Sequence, residues 1–527
     1  MKPPPHFGVR YKTVCIALFL CLTSSSLKSA EWIYEIQRGD NLWNLSRQFL
    51  IDINLWPKLQ SLNGIKQPRR LQPGTKIRVP MEWLKIVPGS ASVLNLFGNV
   101  TAIGMAQKSR KLAKGDLLPT GTVIQTDASS NITLRFDDGS IFLLKSNGQV
   151  KLKNLKVYPG TGMVDTRLEQ KKGKSESKVK PKKGPGSRFE IKTPSAVAGV
   201  RGTAFRVETL PDGEVTDSEV IEGEVAVAAG GATQTIPKGF GTSAKAGGQP
   251  LPPVELLPAP NLTQVPSTFE RDPFYFRFPH KTGAIGYLLE IAPNQKFTQL
   301  LYEQEYPSTT IKVSGLAEGS YVLRIRAMDR HGLEGFDAYH PFTVNVHPPP
   351  PELLQPLPAS QIFAHQPIFR WRPVETSFGY HLQLASDFHF RHPLINESHL
   401  QAISHIAGFL RPGKYYWRVA AIDSHGKRGP FSPAREFIRL PPPPDMDIIN
   451  TNGVPSALQW QAPYEDARYR LQIAWDRGFE MVIADILLDK PKYFLTPLKH
   501  GDYFIRVKTY DAQWEGPYSQ PLLLKVP

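Results

Sequence analysis

Residues 287–292 read Tyr-Leu-Leu-Glu-Ile-Ala, and the segment recurs as Tyr-His-Leu-Gln-Leu-Ala at 380–385 and Tyr-Arg-Leu-Gln-Ile-Ala at 469–474. The copies lie about 90 residues apart in this chain of 527 residues, which is the size of one small β-sandwich. Apolar residues alternate further along the repeats, as in Ile325 and Ala327 or Val419 and Ala421, which indicates strands with one buried face. The sequence therefore predicts three tandem β-sandwiches, covering residues 250–347, 348–440 and 441–527.

A second motif, Leu-x-x-Gly-x-Tyr-x-x-Arg, follows each copy and ends at Arg324, Arg418 and Arg506. With this tyrosine near a strand start, the units resemble fibronectin type III-like or related immunoglobulin-like domains. Trp371 and Trp460 suit strands packed against the opposite sheet. Proline runs separate the units, so the sequence predicts a semi-rigid string of domains.

Composition excludes several classes of protein. Proline accounts for 49 residues, which excludes a helical bundle, and 41% hydrophobic residues exclude disorder over the whole chain. The net charge of +16 is concentrated in the first thirty residues and in residues 171–188. A chain-wide nucleic-acid or membrane surface is therefore not indicated.

The N-terminus has the order of a secretory signal peptide. Basic residues precede the apolar run Val14 to Leu22, and a small polar stretch ends at Ala30. Nine apolar residues fall short of the ~20 that a membrane span needs, which favours cleavage over an uncleaved anchor. Residues 1–30 are thus a predicted signal peptide. Both cysteines, Cys15 and Cys21, lie in it, so the mature chain would have no thiol.

Residues 31–81 show a strand, two helices and a strand. Tyr34 to Ile36 is typical of a strand, and Gly39 and Asp40 offer a turn and a helix N-cap. The first helix has its apolar residues at helical spacing. The second helix covers Trp56 to Leu62, and the closing strand follows Pro73-Gly74.

This module resembles the LysM family through Tyr34-x-Ile36-x-x-Gly39-Asp40-x-Leu42, Trp56-x-x-Leu59-x-x-x-Asn63-x-Ile65 and Leu71-x-Pro73-Gly74-x-x-Ile77-x-Val79-Pro80. The resemblance implies a βααβ fold that binds N-acetylglucosamine-containing glycan, typically peptidoglycan, between two loops. Carried over, the glycan-binding positions are Gly39, Asp40, Asn41, Leu42, Asn63, Gly64, Ile65 and Lys66. For these residues a purely structural role is the alternative, with Leu42 and Ile65 in the core and Gly39 and Asp40 in the turn.

Residues 90–245 show short alternating strands with Gly and Asp turns, such as 131–136 and 140–144 flanking Asp137-Asp138-Gly139. The module is predicted to be all β. One stretch, residues 170–188, contains almost no apolar residue, and from Lys171 to Arg188 it has eight bases and one acid. We predict a disordered basic loop here, either solvated or loosely attracted to anionic wall polymers.

This module resembles the FecR family through Phe189-x-Ile191-x-Thr193-Pro194, Val200-Arg201-Gly202-Thr203-x-Phe205 and Val220-x-Glu222-Gly223-x-Val225. Well-known members of that family sense a periplasmic signal and pass it through a membrane segment to a sigma factor. This sequence shows neither a membrane segment nor a cytoplasmic tail, so that function is not carried over.

The sequence predicts no enzyme, cofactor or metal. These modules leave no segment for a catalytic domain, and neither His-Glu-x-x-His nor a mature cysteine is present. Motifs do not test for a carboxylate-pair glycosidase, because such pairs are recognised only in space. The leading hypothesis is a periplasmic adaptor or scaffold, of the Gram-negative envelope, that binds peptidoglycan and protein partners. The alternatives are an envelope signalling component and an accessory of a wall hydrolase.

Overall fold

The computed structural model describes residues 30–104, 109–181, 183–200, 202–451, 454–510 and 513–526. The predicted signal peptide lies outside this part, except for Ala30. Within it the protein is mainly β, with two short α-helices near the N-terminus, as the sequence predicts. No helix in these ranges has the length and apolarity needed to cross a membrane.

The first module has the predicted strand, helix, helix, strand order. Its elements are β1 (Glu31–Glu35), α1 (Leu42–Phe49), α2 (Trp56–Leu62) and β2 (Lys76–Pro80), with 3-10 turns at Ile53–Leu55 and Met81–Trp83. The strands are antiparallel, with Ile33 opposite Arg78. Leu42, Leu45 and Phe49 form the buried stripe of α1 because they recur every three to four residues.

In the described part of the chain, the second module is a β-barrel built from eighteen strands. The predicted hairpin is present: β9 (Asn131–Phe136) and β10 (Ile141–Leu144) are antiparallel, with Ile141 opposite Arg135 and Gly139 in the turn at φ +80. The strands are β3 (Val87–Pro88), β4 (Ser90–Phe97), β5 (Val100–Ile103), β6 (Ser109–Lys111), β7 (Leu117–Pro119), β8 (Val123–Thr126), β9 (Asn131–Phe136), β10 (Ile141–Leu144), β11 (Gln149–Tyr158), β12 (Met163–Lys178), β13 (Arg188–Lys192), β14 (Val197–Val200), β15 (Ala204–Thr209), β16 (Val215–Glu222), β17 (Glu224–Ala229), β18 (Ala232–Pro237), β19 (Phe240–Lys245) and β20 (Val254–Glu255).

The prediction of a disordered loop at residues 170–188 is wrong for residues 170–178. Strand β12 runs through Lys178, and its last residues pair with β10 on one side and β15 on the other. Ser175 and Ser177 are buried, while Lys174 and Glu176 on the other face meet charged residues from far along the chain. The segment is ordered because those partners neutralise its charges, which the local composition does not reveal.

The strands after the barrel fall into three groups, one within each predicted repeat. Repeat 1 has β21 (Thr268–Phe269), β22 (Phe274–Arg277), β23 (Gly286–Ala292), β24 (Tyr302–Tyr306), β25 (Thr310–Val313), β26 (Gly319–Met328) and β27 (Ala338–Val344). Repeat 2 has β28 (Leu353–Gln355), β29 (Ser360–Ile362), β30 (Ile368–Trp371), β31 (Gly379–Ala385), β32 (Ile395–Leu400), β33 (Ser404–Ile406), β34 (Gly413–Ile422), β35 (Arg428–Phe431) and β36 (Arg435–Arg439). Repeat 3 has β37 (Met446–Thr451), β38 (Val454–Trp460), β39 (Arg468–Ala474), β40 (Val482–Leu488), β41 (Lys492–Phe494), β42 (Gly501–Tyr510) and β43 (Leu522–Val526).

Each repeat has its own core, and the repeated residues hold it. Trp371 and Trp460 are buried, as their positions predict. The tyrosine of the second motif donates a hydrogen bond to the carbonyl oxygen four residues upstream at 2.7 to 2.9 Å in Tyr321, Tyr415 and Tyr503. This bond pins the loop to the strand start and is the tyrosine corner of such sandwiches.

The first two modules and repeat 1 pack together rather than hanging on extended spacers. Phe49 contacts the β11–β12 turn at Gly160, and the barrel residue Met163 joins the core of the first module. In the proline-rich linker, β20 pairs with β19, and the carbonyl oxygen of Leu257 accepts from the backbone N–H of Phe336. The expectation of a string of separate domains is therefore wrong for the junction between the barrel and repeat 1.

Candidate functional site

The structure brings the two predicted glycan-binding loops of the first module together. The backbone N–H of Leu42 donates to the carbonyl oxygen of Pro68 at 3.0 Å, which ties the start of α1 to the segment after α2. The side chain of Ile65 packs against the same core as Leu42. The eight predicted residues therefore lie on two neighbouring loops, 39–42 and 63–66.

The first loop is held by Asp40, although not as the helix cap that the sequence predicts. Its Oδ2 accepts from the Tyr34 hydroxyl at 2.8 Å and from the backbone N–H of Gln37 at 2.7 Å. Burial, together with this bond to Asp40, raises the pKa of Tyr34 to about 12. The N-cap of α1 is Asn41, whose Oδ1 accepts from the backbone N–H of Asn44. Asp40 thus closes the turn before the helix begins.

In the second loop, Asn63 is fully engaged in the scaffold. Its amide donates to the carbonyl oxygens of Leu59 and Arg78, and its Oδ1 accepts from the backbone N–H of Arg78 at 2.7 Å. The carbonyl oxygen of Ile65 accepts from the Gln60 amide. Asn63 and Ile65 therefore set the position of the loop, and the exposed members of the second loop are Gly64 and Lys66.

The exposed surface at the two loops includes the backbone of two glycines and the ring of Trp43. Gly39 and Gly64 have φ of +93 and +60, and a Cβ at either would meet no atom within 4 Å. Leu42, in contrast, is fully buried and contributes no side-chain surface. Trp43, which the sequence analysis did not single out, is exposed by 52% on the first turn of α1. Its place off the apolar stripe of α1 is the signal that could have identified it.

A second candidate site, the junction cluster, joins the barrel to repeat 1. It consists of five bases and eight acids: Lys145, Lys174, Glu176, Arg206, Glu208 and Glu219 of the barrel, and Glu290, Glu303, Glu305, Arg324, Arg326, Glu334 and Asp337 of repeat 1. A small apolar group of Leu143, Ala292, Phe297, Leu300 and Val322 packs beside it.

Glu176 is the centre of the junction cluster. Its carboxylate accepts from Nη1 and Nη2 of Arg324 at 3.1 and 2.8 Å and from Nη2 of Arg326 at 2.7 Å. Lys145 Nζ lies 3.0 Å from Glu176 and 2.7 Å from Glu290. A buried charge network of this kind depends on every member, because removing one leaves another without compensation.

The acids of the junction cluster divide into two groups. Burial would raise the pKa of Glu176, but Arg324 and Arg326 hold it well below its usual range. Burial raises the pKa of Glu219 to about 8, and Glu334 and Asp217 add to this while Arg206 opposes it. Burial likewise raises the pKa of Glu208 to about 7 against the effect of Lys174. With acids in excess of bases, some carboxyl groups keep their proton near neutral pH.

The junction cluster shows no arrangement of metal ligands. Among the residues that the structure describes, no group of three or more His, Cys, Asp or Glu side chains is placed to hold a metal ion. The cluster instead forms a network of ion pairs between two β domains, in which Glu176 pairs with Arg324 and Arg326, 148 and 150 residues away.

Comparison with protein families agrees with both resemblances. Residues 34–80 match the family model of the LysM domain, and residues 122–226 match that of the FecR protein. Both are binding or signalling domains without catalytic activity, and both are typical of cell-envelope proteins. No curated protein is significantly similar in sequence to this chain.

Solved structures match parts of this chain at low sequence identity. A structure described as an anti-sigma factor from Parabacteroides distasonis is 17% identical, with a TM-score of 0.21; the match covers 25% of this chain and 59% of that structure. Two fibronectin type III domains of chicken tenascin are 16% identical over 33% of this chain and 99% of theirs, with a TM-score of 0.25. The chicken interferon gamma receptor alpha chain is 13% identical over 34% of this chain and 98% of its own, with a TM-score of 0.26.

Proposed function

We propose that this protein is a non-catalytic, exported adaptor of the cell envelope, which binds peptidoglycan through its first module and protein partners through its β domains. The observation that carries the proposal is that loops 39–42 and 63–66 pack on one core through Leu42 and Ile65, with open backbone at Gly39 and Gly64. Loop amides and carbonyls of this kind can bond the acetamido group of N-acetylglucosamine. The LysM match over residues 34–80 supports the same ligand.

The proposed contacts divide by the role that each residue has in the loops. Gly39, Gly64 and Lys66 are exposed and would face the glycan, while Leu42, Asn63 and Ile65 would position them. Asp40 and Asn41 fix the first loop through the turn and the helix cap. Trp43 would add apolar contact to a sugar ring.

Substitution of either loop glycine should weaken glycan binding, whereas the same substitution at a matched glycine outside the two loops should leave binding unchanged. In Gly39→Leu and Gly64→Leu the new side chain would cover exposed backbone of its loop, so pelleting of the full chain with purified sacculi should fall at least about fivefold. Gly74→Leu is the control, because Gly74 has φ +82 and the same open surroundings. All three variants carry a similar backbone cost of about 1–2 kcal/mol.

Circular dichroism separates loss of binding from loss of fold. Undiminished pelleting of both loop variants would contradict glycan binding at this site. Substitutions are preferable to deletion of residues 31–81, since Met163 of the barrel contributes to the core of that module and would become exposed.

The second candidate function is envelope signalling, in which the FecR-like barrel contacts a membrane sensor. The match of residues 122–226 to the FecR model favours it. Photocrosslinking from the barrel surface in cells distinguishes the two functions: signalling requires a membrane protein as the dominant adduct, and the adaptor does not.

A further inference from the structure

The three repeats carry one arginine in the same setting. Arg324, Arg418 and Arg506 lie opposite Glu290, Gln383 and Gln472 in the sheet register. The guanidinium carbon of each lies 4.0 to 4.2 Å from the centre of a phenylalanine ring, that of Phe297, Phe390 or Phe479 respectively. Each of these phenylalanines has a positive φ. Each repeat therefore contains the same site, in which an arginine stacked on a phenylalanine ring can bind a planar group.

Repeat 1 shows what this site binds. Arg324 donates its Nε to Glu290 and uses both outer nitrogens to hold Glu176, a residue of barrel strand β12. Apolar contacts of Phe297 and Leu300 with Leu143 of the barrel accompany the ion pair. The outer face of this sandwich is thus the surface on which a strand bearing a carboxylate docks.

In repeat 2 the arginine has the same position, but its partner within the repeat is an uncharged glutamine instead of a glutamate. Nε and Nη2 of Arg418 both donate to Oε1 of Gln383, at 2.8 and 2.7 Å, where repeat 1 has a glutamate. Phe431 covers the other face of Arg418 at 4.2 Å, and Arg428 lies beyond it. Among the described residues, no carboxylate oxygen comes within 4 Å of either arginine.

The surroundings of Arg418 confirm this shortage of negative charge. Burial and the neighbouring Arg428 lower the pKa of Arg418, and only Glu270 acts in the opposite direction. Asn396 pairs with Gln383 where repeat 1 has Glu303 opposite Glu290.

Repeat 3 differs in this respect. Asp485 binds Arg470 through two bonds of 2.8 Å, and Glu515 pairs with Lys508. Two of the three cations on that face are therefore neutralised within the repeat. Repeat 2 has the stronger demand for an external carboxylate.

We propose that the outer face of repeat 2 is a docking surface for a β-strand of a partner protein, in which Arg418 holds a glutamate or aspartate as Arg324 holds Glu176. Phe388 and Leu394, exposed by 59% and 58%, supply apolar contact beside it. An arginine already stacked and oriented loses little entropy on binding, which suits a specific bidentate contact. The inference rests on the adaptor function proposed above and names the chemistry of its partner.

The test is fluorescence anisotropy of a labelled peptide of alternating Val and Glu with the full chain, against the same peptide with Gln for Glu. The Glu peptide should bind, and Arg418→Gln should raise its Kd about tenfold or more. Arg370→Gln, an exposed arginine on the opposite sheet, should change Kd by less than about twofold.

Two outcomes of the peptide assay overturn the proposal. These are failure of the Glu peptide to bind more tightly than the Gln peptide, and unchanged binding by Arg418→Gln. Equal, Arg418-dependent binding of polygalacturonate would show that the face recognises anionic polymer rather than a strand, and would also overturn it. No glycan of the cell wall enters the assay, so its failure is distinct from failure of the proposed peptidoglycan binding.

Discussion

Glu176→Gln should destabilise the unit of barrel and repeat 1 by about 3–5 kcal/mol in denaturant unfolding of the full chain. The glutamine cannot satisfy Arg324, Arg326 and Lys145, which then stay buried with too little negative charge. The unfolding of this unit should shift to lower denaturant, and repeat 1 should become separable from the barrel. Limited proteolysis within residues 250–260 reports that separation.

The control lies on the same strand. Glu169 faces Lys153 at 3.7 Å, and both side chains are substantially exposed, so Glu169→Gln should cost under about 0.5 kcal/mol. If the two variants unfold at the same denaturant concentration, Glu176 is not the centre of the junction.

Glu219→Gln should stabilise the protein increasingly as pH rises from 5 to 9. The folded state raises the pKa of Glu219 from 4.5 to about 8, so it retains a proton that the unfolded chain releases in that range. Stability from this group is therefore lost as pH rises through the window, because the unfolded state binds fewer protons. The advantage of the variant should grow from near zero at pH 5 to on the order of 3 kcal/mol at pH 9.

Calorimetric unfolding at several pH values measures this advantage. Glutamine can still accept the bond that Glu219 receives from the backbone N–H of Glu334, so the packing is preserved. Exposed Glu222 on the same strand provides the control variant, Glu222→Gln. Burial lowers the pKa of His365 and His381, so these groups make stability rise with pH near pH 6. Their contribution is the same in the variant and the wild type, and it cancels when the two stabilities are subtracted. A difference that is independent of pH would contradict a protonated Glu219.

The junction changes how the repeats are understood. Repeat 1 is committed to the barrel through Glu290, Arg324 and Arg326, whereas repeats 2 and 3 replace that glutamate by Gln383 and Gln472. The sequence shows this substitution as a single difference in an otherwise repeated segment. Its effect on docking depends on the position of Glu176, which no local pattern links to repeat 1.

Local chemistry was sufficient for much of the first module. The apolar spacing of α1 and the turn glycines predicted its elements, but the cap fell on Asn41 instead of Asp40. Both residues are good N-caps, so propensity does not choose between them. The choice was made by the bonds of Asp40 to Tyr34 and Gln37, which fix it in the preceding turn.

The sequence by itself determined the order of modules, the strand patterns and the buried rows of each repeat, because these depend on residues a few positions apart. Only the tertiary structure decided that residues 170–178 form an ordered strand and that the acids around them are buried. Whether a charged segment is ordered depends on counter-charges, and several of those that pair with Lys174 and Glu176 lie over a hundred residues away on repeat 1. Composition reports the charge of such a segment, whereas its energy is set by the partners that folding brings within 3 Å.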